Sequence, residues 1–133
     1  MNSPTSYGLQ NTLDIPVTTS DRVNIKLWYH PAQYGQKTLV YFQGNNGNLS
    51  YRIDKIKAFI NHGFGIMAVS YRGYGNSKGS PSELGLYEDA RTSINYLKTQ
   101  NIDLDDMVIY GESLGSGIAV QMGTEFKVHA IIL

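Results

Sequence analysis

A chain of 133 residues that is 41% hydrophobic and 17% charged is sized for one domain with a core of its own, and that balance excludes disorder. Its 11 Lys and Arg match its 11 Asp and Glu, which leaves no electrostatic footprint for nucleic acid or an acidic membrane surface. The absence of cysteine excludes disulfides, thiolate catalysis and Cys-based zinc sites, and the three histidines, His30, His62 and His129, have no metal-pair spacing. Neither a metal nor a cofactor is therefore expected.

From the amino end, Met1 to Leu13 is polar and carries no apolar signal-peptide core, and the longest apolar runs are strand-sized. No membrane segment is expected, and the expected location is cytoplasmic. Leu13–Thr18 and Val23–His30 predict two strands joined by the polar turn Thr19–Arg22. Alternation of Val23, Ile25 and Leu27 with Asn24 and Lys26 predicts an antiparallel pair at a sheet edge. Thr38–Phe42 is unbroken apolar sequence, as in a central parallel strand covered on both faces. The Gly/Asn run Gln43–Asn48 leads into a helix predicted from about Ser50 to His62. There Ile53, Ile56, Phe59 and Ile60 share one face, Asp54, Lys55 and Lys57 lie largely opposite, and Gly63 ends the helix. Phe64–Tyr71 predicts another buried strand, followed by a glycine-rich loop to Pro81. Glu83 to about Thr99 predicts a helix with Leu86, Ala90, Ile94 and Leu97 along one stripe. Val128–Leu133 predicts a last apolar strand holding His129 as a packed residue. Strands alternating with helices predict an α/β fold, a mostly parallel sheet with right-handed crossovers, in a single domain spanning 1–133.

Chemistry concentrates at Met107–Val120, an apolar run that breaks at Gly111-Glu112-Ser113-Leu114-Gly115 and resumes as a second apolar run. This reads as strand, sharp turn, helix. Gly111 and Gly115 bracket Ser113 at the spacing of a nucleophile elbow, where backbone passes too close for a side chain. The following helix would offer free N–H groups and a positive dipole end beneath the serine. The pentapeptide recurs as Gly75-Asn76-Ser77-Lys78-Gly79, but that copy has neither a strand immediately before it nor an apolar helix after it. Context therefore selects Ser113 as the candidate nucleophile.

The segments Tyr41–Arg52 (YFQGNNGNLSYR), Ser70–Glu83 (SYRGYGNSKGSPSE) and Tyr110–Gly115 (YGESLG) resemble the α/β-hydrolases of the Bem46-like group, related to the serine aminopeptidase-like hydrolases. The resemblance covers nearly the whole chain. It implies strands one to six of an eight-stranded sheet in the order 1-2-4-3-5-6-7-8, with Ser113 after strand five as nucleophile. It also implies an oxyanion hole formed by the backbone N–H groups of Leu114 and Asn45. Gln43-Gly44 stands where the family usually has His-Gly, and Ser116 where it commonly has a second glycine. The implied substrate is a small-molecule acyl compound, an ester, thioester or amide, hydrolysed through an acyl-enzyme.

In this fold the acid and the histidine follow the nucleophile in sequence. After Ser113 the only acid is Glu125 and the only histidine is His129, each expected away from the elbow. A serine hydroxyl without an adjacent base is a poor nucleophile. The expectation is accordingly a C-terminally incomplete hydrolase domain, inactive on its own. Its open strand-six edge would pair with the missing C-terminal half or with itself. The competing expectation is a catalytically inactive, partner-binding remnant. A nucleotide-binding domain is disfavoured, because neither Gly-x-Gly-x-x-Gly nor a Walker motif occurs.

Overall fold

Short apolar runs punctuated by turn residues become strands in the computed structural model, which describes residues 3–44, 52–73, 79 and 82–133. They are β1 (Leu13–Thr18), β2 (Asn24–His30), β3 (Thr38–Phe42), β4 (Gly65–Ser70), β5 (Met107–Gly111) and β6 (Ala130–Ile132). The amphipathic runs become α1 (Ile53–Asn61), α2 (Glu83–Thr99) and α3 (Gly115–Glu125). The strands form one sheet in the order β1-β2-β4-β3-β5-β6. Pairings β1–β2 and β2–β4 are antiparallel, while β4–β3, β3–β5 and β5–β6 are parallel. This is the expected order, with helices between the parallel strands.

β3 and β4 are buried at every position, because helices cover both faces of the sheet centre. Toward α2 and α3, Val40, Phe42, Met67, Val69 and Ile109 pack with Ile94, Leu97, Ile118 and Met122. Toward α1, Trp28, Leu39, Tyr41, Ile66 and Val108 pack with Ile56. Each such large side chain removed from water contributes about 1.5–3 kcal/mol before entropy is counted. Ser82 caps α2 by accepting from the Gly85 N–H at 3.1 Å. Gly63, at φ +89°, ends α1 in a left-handed conformation that favours glycine.

The antiparallel β1–β2 pair lies at the sheet edge as expected, β1 outermost, with Trp28 and Tyr29 burying both faces of β2. Two local features depart from expectation. The polar amino-terminal stretch contributes Leu9 to the core, 2% exposed beside the cluster that holds Trp28. His129 is not a packed strand residue. β6 starts at Ala130, the His129 N–H donates to Met107 O at 2.9 Å, and its ring is exposed, with Nδ1 3.4 Å from Asp105 Oδ1.

Candidate active site

β5 ends at Gly111, one strand in from the β6 edge, and the chain reverses through Glu112, Ser113 and Leu114 into α3. Ser113 has φ +56°, left-handed backbone that costs an L-residue about 1–2 kcal/mol. Hydrogen bonds hold the turn: Glu112 N–H to Phe42 O at 3.1 Å, Gly115 N–H to Glu112 O at 2.9 Å, and Ser116 N–H to Ser113 O at 2.9 Å. Close approach explains the glycines. A Cβ on Gly44 would lie 2.5 Å from both Glu112 O and Ser113 Cβ, so the end of β3 lies directly against the serine. A Cβ on Gly111 would lie 2.6 Å from Ala119 Cβ, and one on Gly115 would collide with the Phe42 carbonyl.

Ser113 and Leu114 are both exposed at the carboxyl edge of the sheet, Leu114 at 74%. The N–H of Leu114 has no acceptor among the described residues. It sits at the amino end of α3, whose dipole and free N–H groups favour negative charge there. Asn45, the other expected oxyanion donor, lies outside the described residues, as do residues 75–78 of the second Gly-x-Ser-x-Gly copy. Gln43 is buried at 2% exposure, and its Nε2 has no partner among the described residues.

Two charged clusters flank this edge, and local sequence patterns signalled neither. Glu112, the residue before the serine, accepts from Arg52 Nε at 2.5 Å, Lys55 Nζ at 2.5 Å and Tyr41 OH at 3.2 Å. Burial alone would raise its carboxyl, but the bonds from Lys55 and Arg52 outweigh burial and hold it below the ordinary value. Tyr41 is raised, chiefly by burial and next by the Glu112 charge. The second cluster centres on Arg72, just past β4. Its backbone N–H donates to Asp89 Oδ2 at 2.7 Å, its Nε to Asp89 Oδ1 at 2.9 Å, and its Nη1 to Asp21 Oδ2 at 2.6 Å. Asp89 is fully buried, and burial pushes its carboxyl up despite the guanidinium beside it. This pair fastens the start of the glycine-rich loop to α2.

All three histidines lie at the opposite, amino edge. His30 pairs with Ile66 at the start of β4 and meets Thr12 Oγ1 at 2.9 Å. His62 follows α1, its Nδ1 2.8 Å from Ala58 O. His129 is bonded to Met107, the first residue of β5. From there to Ser113 the strand advances about 3.3 Å per residue, so His129 and Ser113 stand on the order of 15–20 Å apart. Glu125 ends α3 at that same far edge, where Arg91 Nε and Nη2 bind it at 2.6 and 2.8 Å. Those hydrogen bonds, aided by Gln121, lower its carboxyl to about 2. Neither residue stands beside Ser113. Among the described residues, no helix is long and apolar enough to cross a membrane.

A mostly parallel sheet in this order, with a strained Gly-flanked turn from β5 into α3, defines the α/β-hydrolase class. Comparison with known proteins identifies the family: the model described as serine aminopeptidase, S33, matches residues 35–133, and the chain belongs to that family. It is 32% identical over 126 residues to protein bem46 of Schizosaccharomyces pombe, covering 90% of this chain and 42% of that protein. It is 34% identical over 127 residues to the alpha/beta hydrolase domain-containing protein WAV2 of Arabidopsis thaliana, covering 90% and 41%. The alpha-beta hydrolase structure from Vibrio vulnificus superposes with a TM-score of 0.79 at 26% identity, covering 98% of this chain and 49% of that one. The chain thus spans less than half the length of these relatives.

Proposed function

We propose that this chain carries the nucleophile-bearing part of a serine hydrolase that cleaves an ester, thioester or amide through an acyl-enzyme on Ser113. One observation carries the reading: a non-glycine residue at φ +56°, exposed at the carboxyl edge where β5 meets α3, with Gly44, Gly111 and Gly115 leaving room around it. Strain of that kind persists where function requires it.

In the proposed reaction Ser113 Oγ bonds to the substrate carbonyl carbon as its proton passes to a base. The carbonyl electron pair moves onto oxygen, which the N–H groups of Leu114 and Asn45 stabilise; one such donor is typically worth about 3 kcal/mol. Collapse expels the alcohol, thiol or amine, which takes the proton, and water then releases the acid by the same steps. No histidine of this chain stands on that edge, so the reading assigns the base to residues outside these 133.

A fluorophosphonate probe tests this, applied to the chain alone and to the chain fused to the C-terminal portion of a bem46-like relative. The expected result is a Ser113 adduct in the fusion, lost in Ser113→Ala. No adduct in either form refutes the reading. It would favour the second one, a catalytically silent partner-binding module, which draws support from the placement of all three histidines at the far edge.

A further inference from the structure

A serine at φ +56° keeps that conformation only where its surroundings over-determine it. On the α3 side, backbone hydrogen bonds from Gly115 and Ser116 do this. On the other side the Glu112 N–H holds the Phe42 carbonyl, and the Glu112 side chain, immediately before the serine, adds a second set of ties. The Glu112 carboxylate gathers three side chains: Tyr41 of β3, Lys55 within α1, and Arg52, the residue just before α1. Lys55 returns to β5 as well, with Nζ 3.3 Å from Tyr110 OH and 5.2 Å from the Tyr110 ring centre. Side-chain exposures of 20% for Glu112, 29% for Arg52 and 37% for Lys55 leave these pairs only partly screened by solvent. One carboxylate therefore ties β3 and the amino end of α1 to the turn.

We propose that Glu112 is a positioning residue, which fixes the orientation of Ser113 and its spacing from β3 and α1 through Arg52, Lys55 and Tyr41. It acts through the backbone and does not touch substrate. This rests on the reading of Ser113 as nucleophile. A purely stabilising role would lower the melting temperature and leave the reactivity of the folded protein unchanged. A positioning role alters the rate at saturation, because displacing a reacting atom by about 1 Å costs up to about 100-fold.

The test uses the chain fused to the C-terminal portion of a bem46-like relative, with Glu112→Gln, Glu112→Asp and Lys55→Met. Fluorophosphonate inactivation is resolved into its limiting rate and its half-saturation concentration. Glu112→Gln should lower the limiting rate by about 10–100-fold at unchanged half-saturation, with Glu112→Asp recovering part of it. An unchanged limiting rate in folded Glu112→Gln overturns the proposal. Hydrogen exchange in the same proteins, read over residues 110–118 and 52–61, gives an answer that needs no labelling. If the wild type forms no adduct, the nucleophile reading fails. Faster exchange confined to those two segments then still supports the hold of Glu112 on the turn and on α1, and unchanged protection overturns it. If Glu112→Gln does not fold, Lys55→Met, which leaves the Arg52 bond in place, is held to the same criteria with a smaller expected loss.

Discussion

Gly115→Ala measures how tightly β3 is pressed against the serine turn. The added Cβ would overlap the Phe42 carbonyl oxygen and lie 2.7 Å from Gln43 O, all of it backbone at the end of a strand paired on both sides. Neither atom can swing aside as a side chain would. Over-packing of this kind costs about 1–3 kcal/mol, at the upper end where only backbone can yield. Alanine returns about 0.5–1 kcal/mol of helix propensity, so the net loss is about 2 kcal/mol. For a chain of this length that corresponds to a fall of roughly 6–8 °C in melting temperature. Gly117→Ala is the internal control. It lies in the same helix with nothing within 4 Å of its Cβ, and should gain about 0.5–1 kcal/mol. Both are read by urea and thermal unfolding followed by far-UV circular dichroism. The reasoning fails if Gly115→Ala stays within about 0.5 kcal/mol of wild type, or if the two variants move together.

At Ser113 the usual order should invert: because glycine tolerates φ +56°, Ser113→Gly should be more stable than Ser113→Ala by about 1 kcal/mol in the same unfolding assays. Glu125, lowered from 4.5 to about 2 by Arg91, contributes stability that is complete above about pH 4.5 and is lost as pH falls toward 2. Its side chain is 25% exposed, so solvent screening leaves about 1 kcal/mol, and Glu125→Gln should flatten the acid limb of stability against pH by that amount. Asp89→Ala leaves Arg72 its Asp21 partner but removes the acceptor of its backbone N–H and Nε, and should cost about 1–3 kcal/mol in urea titrations. Asp21→Ala, at a carboxylate 45% exposed, should cost about 1 kcal/mol or less.

The sheet was legible because its information is local. β1 and β3 match their predicted bounds, and β5 begins where its apolar run does, since short apolar-rich runs between turn residues have few alternative structures. The elbow could be read from two glycines and the change of period around Ser113. The ionic contacts could not. Glu112 meets Arg52 and Lys55 across 60 and 57 positions, and in the sequence Lys55 lies largely opposite the apolar face of its helix. Only the fold brings that face against the end of β5. Asp89 looked like one more polar helix residue until the crossover set it beneath Arg72. Leu9 escaped notice because a single apolar residue in a polar stretch has no period to reveal it.

The central strand also sets a timetable for synthesis. Thr38 pairs with Gly65 on one side and Met107 on the other, so the partners of β3 emerge 27 and 69 residues later. At about 5–20 residues per second, the fully apolar Thr38–Phe42 leaves the ribosome and waits about 3–14 s for its second neighbour. During that interval its open side is a template for any other exposed strand, including the same strand on the next chain of a polysome. Nascent-chain yield should therefore respond to translation speed between residues 43 and 106 far more than to speed beyond them. The strand that presses against the serine turn is also the one that makes the sheet slow to complete.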